Sequence, residues 1–195
     1  MRATFAAIFI VAMACGETPP PRTEAVHEAP NETSVTGNVG GAPFVARSAA
    51  ARSGGDQTDG GPRVYPGLTV RILESTGACD DLNRRRQSGK SLRFFIINPV
   101  DTSQIAAGTY AILGSGEKAT RVFAMASVHA WDQCRDTTVE TTEQGSVTLT
   151  DVGDVVRGTF DVTFATRDGT TEHVTGRFAA PRCAQADIDA GACTQ

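Results

Sequence analysis

The chain has 195 residues with 18 basic and 22 acidic side chains, a net charge of −4. That balance offers no general field for nucleic acid or an anionic lipid surface. Hydrophobic residues make up 40% and aromatic residues 6%, and Val, Thr, Phe and Gly are plentiful, which favours strands over helices.

In chain order the first element is an apolar run from Ala3 to Ala14, preceded by Arg2 and followed by Cys15-Gly16. It lies within the usual range for a signal core and is too short to span a bilayer. Gly16 and then Pro19-Pro20-Pro21 end any helix there. The stretch Ala12-Met13-Ala14-Cys15 resembles the signal of a bacterial lipoprotein, with Ala12 where Leu is usual. The resemblance implies that residues 1–14 are removed and that Cys15 is acylated, with palmitate among the expected chains. The lipid would then be the membrane partner, and the cell envelope, in particular the outer membrane, the address. An ordinary secretory signal cut at the same bond would leave Cys15 as a free thiol. Removal of residues 1–14 takes one Arg and no acid, leaving 17 basic and 22 acidic side chains, net −5.

Residues 15–33, with the run GETPPPRTEAVHEAPNET, are rich in Pro and Glu and almost free of large apolar residues. They read as a disordered tether, partly stiffened by proline. A single β domain is expected over 34–195. Its candidate strands are 34–39, 43–50, 67–76, 91–98, 108–113, 120–131, 145–151, 155–166 and 170–180. Ser53-Gly54-Gly55-Asp56 begins a turn-rich stretch running to Pro62 and expected to be a flexible loop. Cys79 to Gln87 has room for a helical turn or two.

Strand parity sharpens the C-terminal third. Phe160, Val162 and Phe164 are even-numbered, as are Val174, Phe178 and Ala180. Even positions face even positions only across an odd loop, which predicts a three-residue loop, Gly169 in the left-handed conformation and Val162 opposite Val174. Val147 and Leu149 are odd, so an even loop is needed before Val155, and Gly153-Asp154 is a candidate two-residue turn. Three antiparallel strands sharing one buried face form a meander. The expected fold is all-β, an antiparallel β-sandwich or flattened barrel of roughly eight to nine strands. Phe94-Phe95-Ile96-Ile97 is apolar on both faces and reads as a central, covered strand.

Setting Cys15 aside leaves Cys79, Cys134, Cys183 and Cys193. Four cysteines in an exported chain imply two disulfides and allow three connectivities. The short polar loop between Cys183 and Cys193 favours their pairing, and Cys79–Cys134 then follows by default. No two of these cysteines have the close spacing of a zinc ligand pair, and no metal or cofactor is expected.

Chemistry is sparse. His27 lies in the tether, His173 on an outward strand position, and His129 on the face that also carries Phe123, Met125 and Trp131. His129 with Asp132 is the candidate pair for an envelope hydrolase, but the catalytic set is otherwise missing. Arg84-Arg85-Arg86 is the strongest charge feature and a candidate anion contact, with Asp80-Asp81 upstream. No aromatic residues interleave with it, which speaks against nucleic acid. Ser115-Gly116-Glu117-Lys118-Ala119 resembles half of the S-G-x-x-Y loop of periplasmic lysozyme inhibitors, with Ala119 in place of Tyr. The preferred expectation is a non-enzymatic binding or structural module with an envelope protein or glycan as partner. The hydrolase and the lysozyme-inhibitor-like protein are the alternatives.

Overall fold

The computed structural model describes residues 32–56, 65–79, 85–86, 88–100, 103–113, 120–132, 135–166, 169–184 and 193–194. The leader, Cys15, nearly all of the tether, Arg84, Cys134, the 115–119 motif and the loop between Cys183 and Cys193 lie largely or wholly outside these residues. Most of the described chain is strand: β1 (Ser34–Thr36), β2 (Asn38–Val39), β3 (Ala42–Pro43), β4 (Ser48–Asp56), β5 (Tyr65–Leu73), β6 (Arg85–Arg86), β7 (Ser88–Ile97), β8 (Gly108–Ala111), β9 (Phe123–Asp132), β10 (Arg135–Val152), β11 (Val155–Ala165), β12 (Thr171–Pro181) and β13 (Cys193–Thr194).

The main sheet runs β1-β12-β11-β10-β9-β7-β5-β4, with β8 added on β10. It curls until its ends meet. Ala51 of β4 bridges Arg182, just after β12, and the Cys183 N–H donates to the Ala51 carbonyl at 2.9 Å. Arg182 reinforces this seam by donating to the carbonyls of Gly153 (2.8 Å) and Val152 (2.7 Å) and to the Ser53 hydroxyl. The result is the expected all-β fold in its flattened, barrel-like form, with β10, β11 and β12 as the C-terminal meander.

Alternation decides which residues fill the interior. Val70 and Ile72 of β5, Leu92, Phe94 and Ile96 of β7 and Val128 of β9 are fully buried, and so are Val162, Phe164 and Val174 across the interior. Phe94 joins the two walls: its ring centroid lies 4.7 Å from that of Phe160 and 6.3 Å from that of Phe178. Val162 does face Val174. The Thr166 N–H donates to the Thr170 carbonyl, the Gly169 N–H returns to Thr166, and Gly169 has φ +84°. These are the pairings of a three-residue loop with a left-handed glycine.

The other turn of the meander differs in detail. Val147 faces Phe160 as parity requires, but Val152 pairs with Val156, and the register shifts between Leu149 and Asp151. A bulge therefore supplies the parity change. Gly153 donates its N–H to the Asp151 carboxylate at 2.8 Å, a local side-chain turn.

Two further expectations are corrected. Ser53–Asp56 belongs to β4, paired against Tyr65–Leu68, because a strand partner satisfies backbone groups whatever the side chains. β10 begins at Arg135 rather than near 145; its first half pairs with β9 and its second with β8. The two residues before β1 also touch the domain. Glu32 accepts from Arg157 at 3.1 Å, and the Ala179 N–H donates to the Thr33 hydroxyl at 3.1 Å.

The disulfide pairing is corrected as well. Cys79 is bonded to Cys183, across 104 residues and with a Cα–Cα distance of 5.4 Å. This overturns both Cys79–Cys134 and Cys183–Cys193. The physical reason is the seam: β4 lies between β5 and the end of β12, so the chain leaving β5 reaches the residue just after β12. Ala50, Leu73 and Ala78 pack together beneath the two sulfurs.

Candidate functional site

The outer face of β5, β7 and β9 carries an unusual set of residues. The positions that alternate with the core are Thr69, Arg71 and Leu73 on β5, Ser91, Arg93 and Phe95 on β7, and Met125, Ser127, His129 and Trp131 on β9. Across the strands Arg71 faces Arg93, Arg93 faces Ser127, and Ser91 faces His129. Two arginines directly opposite one another repel unless their surroundings offset the charge.

Aromatic rings form part of those surroundings. The Arg71 guanidinium carbon lies 5.1 Å from the Trp131 ring centroid, and that of Arg93 lies 5.7 Å from the Phe95 ring centroid. Trp131 reaches Arg71 across β7 because its neighbour there is Gly89, which has no side chain to stand between them. His129 and Trp131 are stacked at 6.3 Å, and the His129 Nε2 lies 2.9 Å from the Ser127 hydroxyl.

One end of this face is covered and the other is open. Arg71 is 9% exposed, His129 7% and Trp131 5%, whereas Met125 is 38% exposed. The covered end lies toward Leu73, beneath the Cys79–Cys183 bridge. There the Ser91 hydroxyl is fully buried and has no hydrogen-bond partner among the described residues, a state that costs stability. Cation–aromatic stacking and long arginine stems help this charged layer to sit on the sheet.

The sequence-derived candidates fall as follows. His129 belongs to the face just described. Asp132 ends the same strand three residues later, a separation that is not that of two positions sharing a strand face. Arg85 and Arg86 form β6, which pairs in parallel with Cys193 and Thr194 of β13. His173 lies on the opposite side of the molecule, exposed, with its Nε2 2.8 Å from the Asp161 carboxylate. Among the described residues no group of three potential ligands could hold a metal ion.

Arg71, Arg93, Ser91 and Ser127 were not among the candidates. The signal was present as polar residues at odd positions between the buried Val70, Ile72, Leu92 and Phe94, a pattern that ordinarily marks a solvent face. A second, separate depression of about 310 Å³ lies over β11 and β12, lined in part by Glu32, Thr159, Arg157 and Arg177. Its Arg157 is engaged by Glu32 at 3.1 Å and by Asp151 at 3.6 Å. No protein-family model, curated protein or solved structure matches the chain.

Proposed function

We propose that this is a lipid-anchored protein of the bacterial cell envelope whose β domain is a non-enzymatic binding or structural module. The observation that carries the reading is the Cys79–Cys183 bridge taken with the leader that ends at Cys15. Structural disulfides persist in oxidising compartments and are rare in the cytosol, so the bridge agrees with export and the leader supplies the route. The interior also supports a module that presents its outside: Phe94, Phe160 and Phe178 fill it with side chains.

Envelope proteins or glycans are the partner classes that suit this address. The open end of the β5-β7-β9 face, with Arg93, Phe95 and Met125, offers cationic and apolar contacts side by side. The test of the anchor is direct. Cells fed labelled palmitate should yield a labelled, membrane-bound chain, and Cys15→Ala should abolish the label and move the protein to the soluble envelope fraction. A Cys15→Ala chain that stays labelled and membrane-bound would remove the lipoprotein reading.

The Ser127–His129 contact supports a second reading, an envelope hydrolase, because a hydroxyl hydrogen-bonded to an imidazole is the usual start of a nucleophile–base pair. Against it stands the burial of His129 between Ser127 and Trp131. Under the binding reading, His129→Ala and Ser127→Ala leave turnover of cell-wall and ester substrates at the background rate of the unchanged protein. A wild-type rate that falls at least 100-fold in both variants would instead establish the hydrolase.

A further inference from the structure

We infer that Cys134 and Cys193 form a second disulfide, closing the chain's C-terminal end onto the β9–β10 hairpin. The inference rests on the reading of Cys15 as the lipid-bearing residue, and on three placements. Cys79 and Cys183 are already joined to each other. Cys193 lies in β13, whose backbone pairs in parallel with β6 so that Cys193 faces Arg85. β6 in turn packs against both β9 and β10.

β9 ends at Asp132 and β10 starts at Arg135, and these two residues face each other across the hairpin. Gln133 and Cys134 are the two residues between them. The topology thus brings the Asp132–Arg135 pair, which also faces Ser88 just after β6, and the strand that contains Cys193 to one end of the sheet. The Cys183–Cys193 alternative is closed because Cys183 is spent, and Cys79 is spent with it.

The bond forms by thiol–disulfide exchange with an oxidised dithiol carrier of the exporting compartment. One cysteine thiolate attacks the carrier disulfide to give a mixed disulfide, and the second thiolate displaces the carrier sulfur. The two protein thiols lose two protons and two electrons, and the carrier leaves as a dithiol. Together the two bridges tie the chain beyond β12 at two points, Cys183 to Cys79 and Cys193 to Cys134.

Peptide mapping of the full exported chain tests this. Free thiols are alkylated without reduction, and the protein is cut after Arg and before Asp, which separates Cys183 from Cys193 at Asp187 and Asp189. The expected product is Asp189–Gln195 joined to Asp132–Arg135, and Cys134→Ser should expose one alkylatable thiol, at Cys193. Recovery of Cys193 joined to Cys183 or Cys79, or of Cys134 or Cys193 alkylated in the unchanged chain, would overturn the inference. The N-terminal fragment is read separately. An unacylated Cys15 beside an intact Cys134–Cys193 link removes the anchor alone, whereas an acylated Cys15 beside an alkylated Cys134 removes the second bridge alone. A Cys15–Cys134 link removes both.

Discussion

Replacing Cys79 and Cys183 together with serine is expected to destabilise the domain by about 4 to 5 kcal/mol, the loss for a bridge that closes a loop of roughly 100 residues. For a domain of this size that corresponds to a fall in Tm of roughly 10 to 20 °C. The bridge spans 104 residues and acts where the sheet is least continuous. Between β4 and the end of β12 the described backbone contacts are the Ala51–Arg182 bridge and the Cys183-to-Ala51 hydrogen bond, far fewer than join any central strand pair. Without the bridge the seam depends on those contacts and on the Arg182 side chain. Thermal melts of the double variant and of the unchanged protein in reductant provide the check. The reduced protein should melt no higher than the variant. A loss below about 1 kcal/mol would show that the barrel closes without covalent help.

The sequence revealed most where one face of a strand is buried and the next residue is not. Phe160, Val162, Phe164, Val174 and Phe178 carry their own register, because a slip of one residue would turn all of them outward. Gly169 was legible for the same reason, since the parity of its neighbours demanded an odd loop. The first half of β10 was not, because Arg135–Glu143 offers a single Val and its strand exists through backbone pairing with β9. The bridge was also hidden. Cysteine counts limit the pairings, but which ends meet depends on β4 lying between β5 and β12, a long-range fact with no local mark. The buried polar face fails for a related reason. Arg71, Ser91 and His129 sit at positions that alternation assigns to solvent, yet all three are buried.

The second large effect is expected at Gly176, where Gly176→Val should cost about 3 kcal/mol or more, at or above the upper end for overpacked cores. β11 and β12 place Gly158 opposite Phe178 and Phe160 opposite Gly176, so each ring lies over the glycine facing it. A Cβ at Gly176 would come within 2.5 Å of the Phe160 Cζ and 2.8 Å of its Cε1, and would press still closer on the backbone carbonyl of Ser34 in β1. The ring cannot simply swing aside, because Phe94 packs 4.7 Å from it between the two walls. Nor can the carbonyl, because β1 is paired to β12 at this point through Val35 and Gly176. Gly54→Ala is the matched control: nothing lies within 4 Å of its Cβ, and its cost should stay within about 0.5 kcal/mol apart from propensity. A Phe160→Ala background should recover the part of the Gly176→Val loss that belongs to the ring, leaving the part that belongs to Ser34, and the double-mutant cycle measures the split. Equal denaturation midpoints for Gly176→Val and Gly54→Ala would mean that the glycine–phenylalanine pairs do not set how tightly β12 curls against β11. The placement of Phe94 between the walls would then need another explanation.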